Sequence, residues 1–256
     1  MKVVFFDVDG TLISHKIGKI PDSTINAIKQ IRNKGIFCVV CSGRHIEELK
    51  ELEFPLSLFD AYILLNGQLI LDNNFKEVWS NPIEGNNLKN LIHLYENNII
   101  PIQLLEKNTF YINYVNDYVR FAQESIHTSV PRISEYTQNV IYQGIAFVNE
   151  QEEKELKEKL SDCLITRWNP YAVDIVSNNG GKGKAIQQFL DIYQIPVDQS
   201  FAFGDGENDM DMFDKVGFSI AMGNAVPLLK SKANYVTSDI DEDGIYNGLS
   251  FLNFID

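Results

Sequence analysis

The run Val3-Val4-Phe5-Phe6-Asp7-Val8-Asp9-Gly10-Thr11 decides the fold class. Four consecutive apolar residues read as a short strand buried on both faces, as in a parallel sheet covered by helices. The run stops on an aspartate, and a second follows two residues later. Period two puts both carboxylates on the side toward which the strand points, and Gly10 permits a sharp turn. Open α/β sheets bind ligands beyond the carboxyl ends of their strands. The stretch therefore marks a candidate site as well as a fold.

Working outward, residues 22–34 carry Ile25, Ile28 and Ile31 at helical spacing, with Gly35 as the stop and Asp22 or Ser23 able to cap the start. Residues 37–41 read as a second buried strand, 47–52 as a short helix and 61–65 as a third strand. This rhythm predicts βαβ units. Residues 69–71 and 76–79, split by Asp72-Asn73-Asn74, read as a hairpin. The pattern changes near Pro82. Helices are expected at 88–97, 118–125 and 152–160, and strands at 110–114, 141–148 and 172–176. At Lys182 the first rhythm returns, with helices at 182–193, 209–213 and 245–252 and strands at 200–203, 218–222 and 235–237. The predicted architecture is α/β: a doubly wound, Rossmann-like parallel sheet from residues 1–81 and 182–256, interrupted by an α+β insert, 82–181.

Composition excludes several classes. The chain has 256 residues, 45% hydrophobic and 22% charged, as in soluble globular proteins. Its formal charge of −13 opposes nucleic-acid binding, yet leaves room for a small anion in a locally positive pocket. Cys38, Cys41 and Cys163 are too few for a disulfide framework and fit a reducing compartment. Cys38 and Cys41 lie three apart on one strand and point to opposite faces, which opposes a shared metal. Asp7 and Asp9 interrupt the opening apolar run too early for a signal peptide. No apolar run approaches the ~18 residues of a membrane span, so the expected location is the cytoplasm, with no membrane partner.

Three further segments sit at strand ends or helix starts. Ser42-Gly43-Arg44 offers a hydroxyl, an exposed backbone N–H and a guanidinium, all suited to phosphate oxygens. Gly180-Gly181-Lys182-Gly183-Lys184 opens a helix and joins a lysine to a helix N-terminus; its spacing is not that of a Walker loop. Gly204-Asp205-Gly206-Glu207-Asn208-Asp209 follows a strand and lacks the spacing of a calcium loop. If Asp7, Asp9, Asp205 and Asp209 converge, each like-charged pair 4 Å apart repels by roughly 4 kcal/mol at an effective dielectric of 20. Such a cluster needs a cation. All-oxygen ligation favours Mg²⁺, which accepts one or two carboxylates together with phosphate oxygens, and Lys182 adds a further positive charge.

Together these segments resemble the haloacid dehalogenase superfamily, and within it the Cof-type, or type IIB capped, phosphatases. Phe203 to Met210, Ala221-Met222-Gly223-Asn224-Ala225 and Asn66-Gly67 carry the narrower resemblance. It implies that Asp7 is the nucleophile and Asp9 the general acid and base. It implies that Ser42 and Lys182 hold the phosphoryl group, and that Asp7, the Asp9 carbonyl and Asp205 bind Mg²⁺ with Asp209 supporting them. Gly43, Arg44 and Asn208 are implied at the phosphate or substrate edge. The substrate would be a small phosphorylated metabolite, such as a sugar phosphate or a phosphorylated cofactor, and the 82–181 insert would be a specificity cap. Rival readings are a phosphomutase on a similar capped core and a phospho-aspartate signalling module without turnover. The four histidines, His15, His45, His93 and His127, show no ligand spacing, although His45 could line the pocket. Tyr111, Asn113, Arg120 and Arg167 of the insert are candidate substrate contacts.

Overall fold

The computed structural model describes residues 1–256 apart from 15, 53, 127 and 256. Two compact units emerge: Met1–Trp79 with Gly181–Asp256, and Ser80–Gly180. The chain opens with β1 (Val3–Phe6), α1 (Asp22–Asn33), β2 (Phe37–Cys41), α2 (Ile46–Glu51), β3 (Ala61–Leu64), β4 (Leu69–Asp72) and β5 (Glu77–Ser80). The second unit follows with α3 (Gly85–Glu96), β6 (Ile102–Leu105), β7 (Phe110–Ile112), α4 (Asp117–Ser125), β8 (Gln143–Ala146), α5 (Glu150–Lys159), β9 (Cys163–Asn169) and β10 (Ala172–Ser177). The first unit is completed by α6 (Lys182–Tyr193), β11 (Ser200–Gly204), α7 (Met210–Phe213), β12 (Phe218–Ala221), α8 (Pro227–Lys232), β13 (Tyr235–Val236) and α9 (Gly244–Phe251).

The larger sheet has the order β13-β12-β11-β1-β2-β3-β4-β5. It is parallel from β13 to β3, and β4 turns back antiparallel to β3. β1 is fully buried because all four residues are apolar and both faces are covered. Phe5 meets Phe189 of α6 edge-on, and Phe6 stacks on Phe203 of β11. Strand order reverses direction at β1, the crevice where doubly wound sheets take ligands. Phe6 pairs in register with Phe203 and with Val40 of β2. The carboxyl ends of β1, β2 and β11 therefore finish level, and Asp7, Ser42 and Asp205 leave from one edge.

The second unit is an antiparallel sheet, β7-β6-β8-β10-β9. Ile102, Leu104, Tyr111, Val173 and Ile175 of that sheet pack with Leu91, Leu94 and Tyr95 of α3 and Leu156 of α5.

Several local expectations change. Neither Asp22 nor Ser23 caps α1: Pro21 takes the cap position, and Asp22 is the first helical residue, where its charge faces the helix dipole. The helix expected from residue 152 starts at Glu150, because the Asn149 side chain accepts N–H groups of Gln151 and Glu152 while Glu152 reaches back to the Asn149 N–H. β6, β9 and α8 have no counterpart among the expected elements. β9 is an edge strand with mixed exposure, so its apolar alternation is weak. The Cys38 and Cys41 thiols are buried and free.

Candidate active site

The site grows from the level strand ends. After β1 the chain turns at Gly10, with φ +82°. A Cβ there would lie 2.3 Å from the Asp205 Oδ2, so glycine is required by both backbone angle and space. Thr11 Oγ1 donates to Asp205 Oδ1 at 2.8 Å. The Asn224 Nδ2 donates to the Gly10 carbonyl at 2.7 Å, and its Oδ1 accepts the Ile240 N–H. Loops after β1, β11 and β12 are thus tied together. The partner of Asn224 lies 214 positions away, so no local spacing signals the contact.

Lys182 is the first residue of α6 and is 1% exposed. Its Nζ donates to Asp7 Oδ1 at 2.6 Å and to Asp209 Oδ1 at 2.7 Å. The other Asp209 oxygen accepts the N–H groups of Asp205 and Gly206 at 2.9 and 3.0 Å. Asp7, Asp205 and Asp209 each present an oxygen within 4.8 Å of the others. Three carboxylates face one ammonium, a formal surplus of two negative charges when all three are ionised. Burial, then Asp209 and Asp205, push the Asp7 carboxyl well above the usual carboxylate range, against the pull of Lys182. Burial alone would weaken the Lys182 ammonium; Asp209 and Asp7 outweigh it and raise its pKa. The residual charge and the all-oxygen donor set fit a divalent hard cation.

The other predicted residues separate into distinct tasks. The Asp9 carboxylate is gripped on both oxygens by Arg44, Nε to Oδ2 at 2.7 Å and Nη2 to Oδ1 at 2.8 Å, and stands outside the carboxylate triad. Arg44, expected at the phosphate edge, therefore spans the neighbouring acid. Ser42 is buried, and its Oγ accepts the Arg44 N–H at 3.1 Å. Gly43 approaches Asn66 so closely that a Cβ would lie 2.9 Å from the amide oxygen. Asn208 is exposed, and no hydrogen bond among the described residues joins it to the cluster.

His45 is buried as the N-cap of α2, its Nδ1 accepting the Glu47 N–H. His93 is exposed on α3, and His15 and His127 lie outside the described residues. Within the second unit, the Tyr111 hydroxyl bonds Glu106, the Asn113 side chain bonds the backbone of Ile100, Ile102 and Tyr95, and Arg167 pairs with Glu153. These three side chains brace the unit's own fold, while Arg120 is exposed. Among the described residues no helix is long and apolar enough to cross a membrane.

A family model described as haloacid dehalogenase-like hydrolase matches residues 4–249. The Bacillus subtilis (strain 168) protein YkrA is 30% identical over 247 residues, covering 95% of each chain. From the same organism, the 5-amino-6-(5-phospho-D-ribitylamino)uracil phosphatase YwtE is 26% identical over 285 residues, covering 96% of each. The solved structure of the HAD subclass IIB sugar phosphatase BT4131 superposes with a TM-score of 0.85 at 30% identity, covering 100% of both chains.

Proposed function

The chain belongs to the haloacid dehalogenase-like hydrolase family, and from that premise we propose that it is a Mg²⁺-dependent phosphomonoesterase acting through an aspartyl-phosphate on small phosphorylated metabolites. The observation that carries the reading is the buried Lys182 ammonium bridging Asp7 and Asp209 beside Asp205. Asp7 and Asp205 would hold the cation, helped by the Asp9 backbone carbonyl, and Asp209 would steady them through its bonds to Lys182 and to the loop N–H groups. Bound magnesium would offset carboxylate charge and draw density from the phosphoryl oxygens.

An Asp7 oxygen attacks phosphorus, and the bond from phosphorus to the leaving oxygen breaks. Asp9, once it has taken up a proton from solvent and left the Arg44 pair, gives that proton to the leaving oxygen, releasing an alcohol. Asp9 then accepts a proton from water as the water oxygen attacks the phosphorus of the acyl phosphate. Inorganic phosphate leaves, and Asp7 is again a carboxylate. Ser42 and Lys182 hold the equatorial oxygens of the transferring group. Between turnovers Arg44 pairs with both oxygens of Asp9 and holds it as a carboxylate beside the site.

Substrate class follows the relatives: a sugar phosphatase and a phosphatase of a phosphorylated ribityl compound both align along nearly the full chain. We assign residues 82–181 the choice of leaving group, as a cap. The test is phosphate release from a panel of sugar phosphates, ribityl phosphates and phosphorylated cofactors with Mg²⁺. Turnover of at least one compound is expected, with loss of about 10³-fold or more in Asp7→Asn. No release from any compound, or an active Asp7→Asn, would overturn the reading.

A further inference from the structure

α6 carries Lys182 at its first position, yet its N-cap, Gly181, has no side chain to satisfy the helix's leading N–H groups. The acceptor comes from another element. The Gly183 N–H donates to Asp211 Oδ2 at 2.9 Å, from residue 211 of α7. The fit is close on both sides of the lysine. A Cβ on Gly181 would lie 2.5 Å from Asp211 Oδ2, and a Cβ on Gly183 would lie 2.3 Å from the Asp211 backbone oxygen. Gly181 also has φ +110°, a backbone angle that side chains rarely adopt. Two positions earlier on the same segment, Asp209 receives the lysine Nζ. One stretch of chain therefore grips α6 twice, at the backbone beside Lys182 and at the tip of its side chain.

We propose that Asp211 is a positioning residue: it caps α6 from α7 and thereby sets where the Lys182 ammonium stands. The proposal rests on the reading of Lys182 as a phosphoryl-holding group. An ammonium serves a developing charge only while it is held in place, and a displacement of about 1 Å originating away from the chemistry can cost about 10²-fold in rate. The carboxylate also lies at the positive end of a twelve-residue helix, where a negative group is favoured.

The experiment compares Asp211→Ala and Asp211→Asn with the unaltered protein, using p-nitrophenyl phosphate and saturating Mg²⁺, alongside amide hydrogen exchange. Asp211→Ala is expected to lower kcat about 10- to 100-fold while KM moves less than about threefold. Asp211→Asn keeps an oxygen at the acceptor position and should stay within about threefold of the unaltered kcat. Exchange at residues 182–186 should quicken about tenfold or more in Asp211→Ala alone, with β1 unchanged. If Asp211→Ala does not fold, Asp211→Ser, too short to reach Gly183, provides the same comparison. Full kcat in the shortened variant, equal damage in Asp211→Asn, or unchanged exchange at 182–186 would each overturn the proposal. If the unaltered protein releases no phosphate from any phosphomonoester, the functional reading fails, and hydrogen exchange still decides whether Asp211 caps α6.

Discussion

Lys182 sits where removing one side chain leaves two buried carboxylates, Asp7 and Asp209, without their shared cation. Breaking a buried ion pair from one side costs about 3–5 kcal/mol. Lys182→Met keeps the length and loses the charge. It should lower kcat by about 10³-fold and lower the melting temperature, and added Mg²⁺ should recover more stability than in the unaltered protein. Thermal unfolding with and without Mg²⁺ checks this; an unchanged melting temperature would mean that the lysine does not balance the pair. The residues of the proposed site could be picked out in the sequence because each follows a buried strand or opens a helix: Asp7, Asp9, Ser42, Lys182 and Asp205 stand out by position. The partners of those residues were not legible. Arg44 meets Asp9 across 35 positions and Asp211 meets Gly183 across 28. At such separations only folding brings the groups together.

At the scale of elements, the loop after β1 depends on a backbone angle that only glycine adopts freely, set against the Asp205 carboxylate. Gly10→Ala should therefore reduce turnover about 10²-fold or more, as a kcat measurement would reveal; near-normal turnover would show that the loop can shift without harm. In the second unit, Arg167 donates to Glu153 and to the backbone oxygens of Val148, Asn169 and Pro170. Arg167→Ala should destabilise the protein by about 2–3 kcal/mol in urea unfolding, whereas Lys157→Ala, at an exposed partner of Glu153, should cost at most about 0.5 kcal/mol. Burial opposes the Glu153 charge, but hydrogen bonds from Lys157 and Arg167 hold its carboxyl below the usual range. Its folded pKa is depressed, so this contribution is present above the ordinary glutamate range and is lost as pH falls through the lowered value. The buried parallel strands were legible as unbroken apolar runs. β9 was not, since Thr166 and Arg167 interrupt its pattern, and Arg167, one of four candidate substrate contacts, is bound to Glu153 and to three backbone oxygens.

For the whole molecule, a net charge of −13 surrounds a site in which three carboxylates share one ammonium. An anionic substrate approaches such a surface only where positive charge is concentrated. Chelation of divalent ions should abolish turnover, and Mg²⁺ should restore it; turnover that persists after thorough chelation would contradict the charge balance. The doubly wound α/β class was expected from the strand–helix rhythm that opens the chain and returns at Lys182. In the second unit the sequence pattern located β7, β8 and β10 but missed the buried β6 and the mixed-exposure edge strand β9.

The most direct measurement is mass spectrometry of protein quenched during turnover of p-nitrophenyl phosphate with Mg²⁺. One phosphoryl group on the peptide bearing Asp7, absent from Asp7→Asn, is the expected result. Steady phosphate release with no phosphoryl group ever found at Asp7 would contradict it.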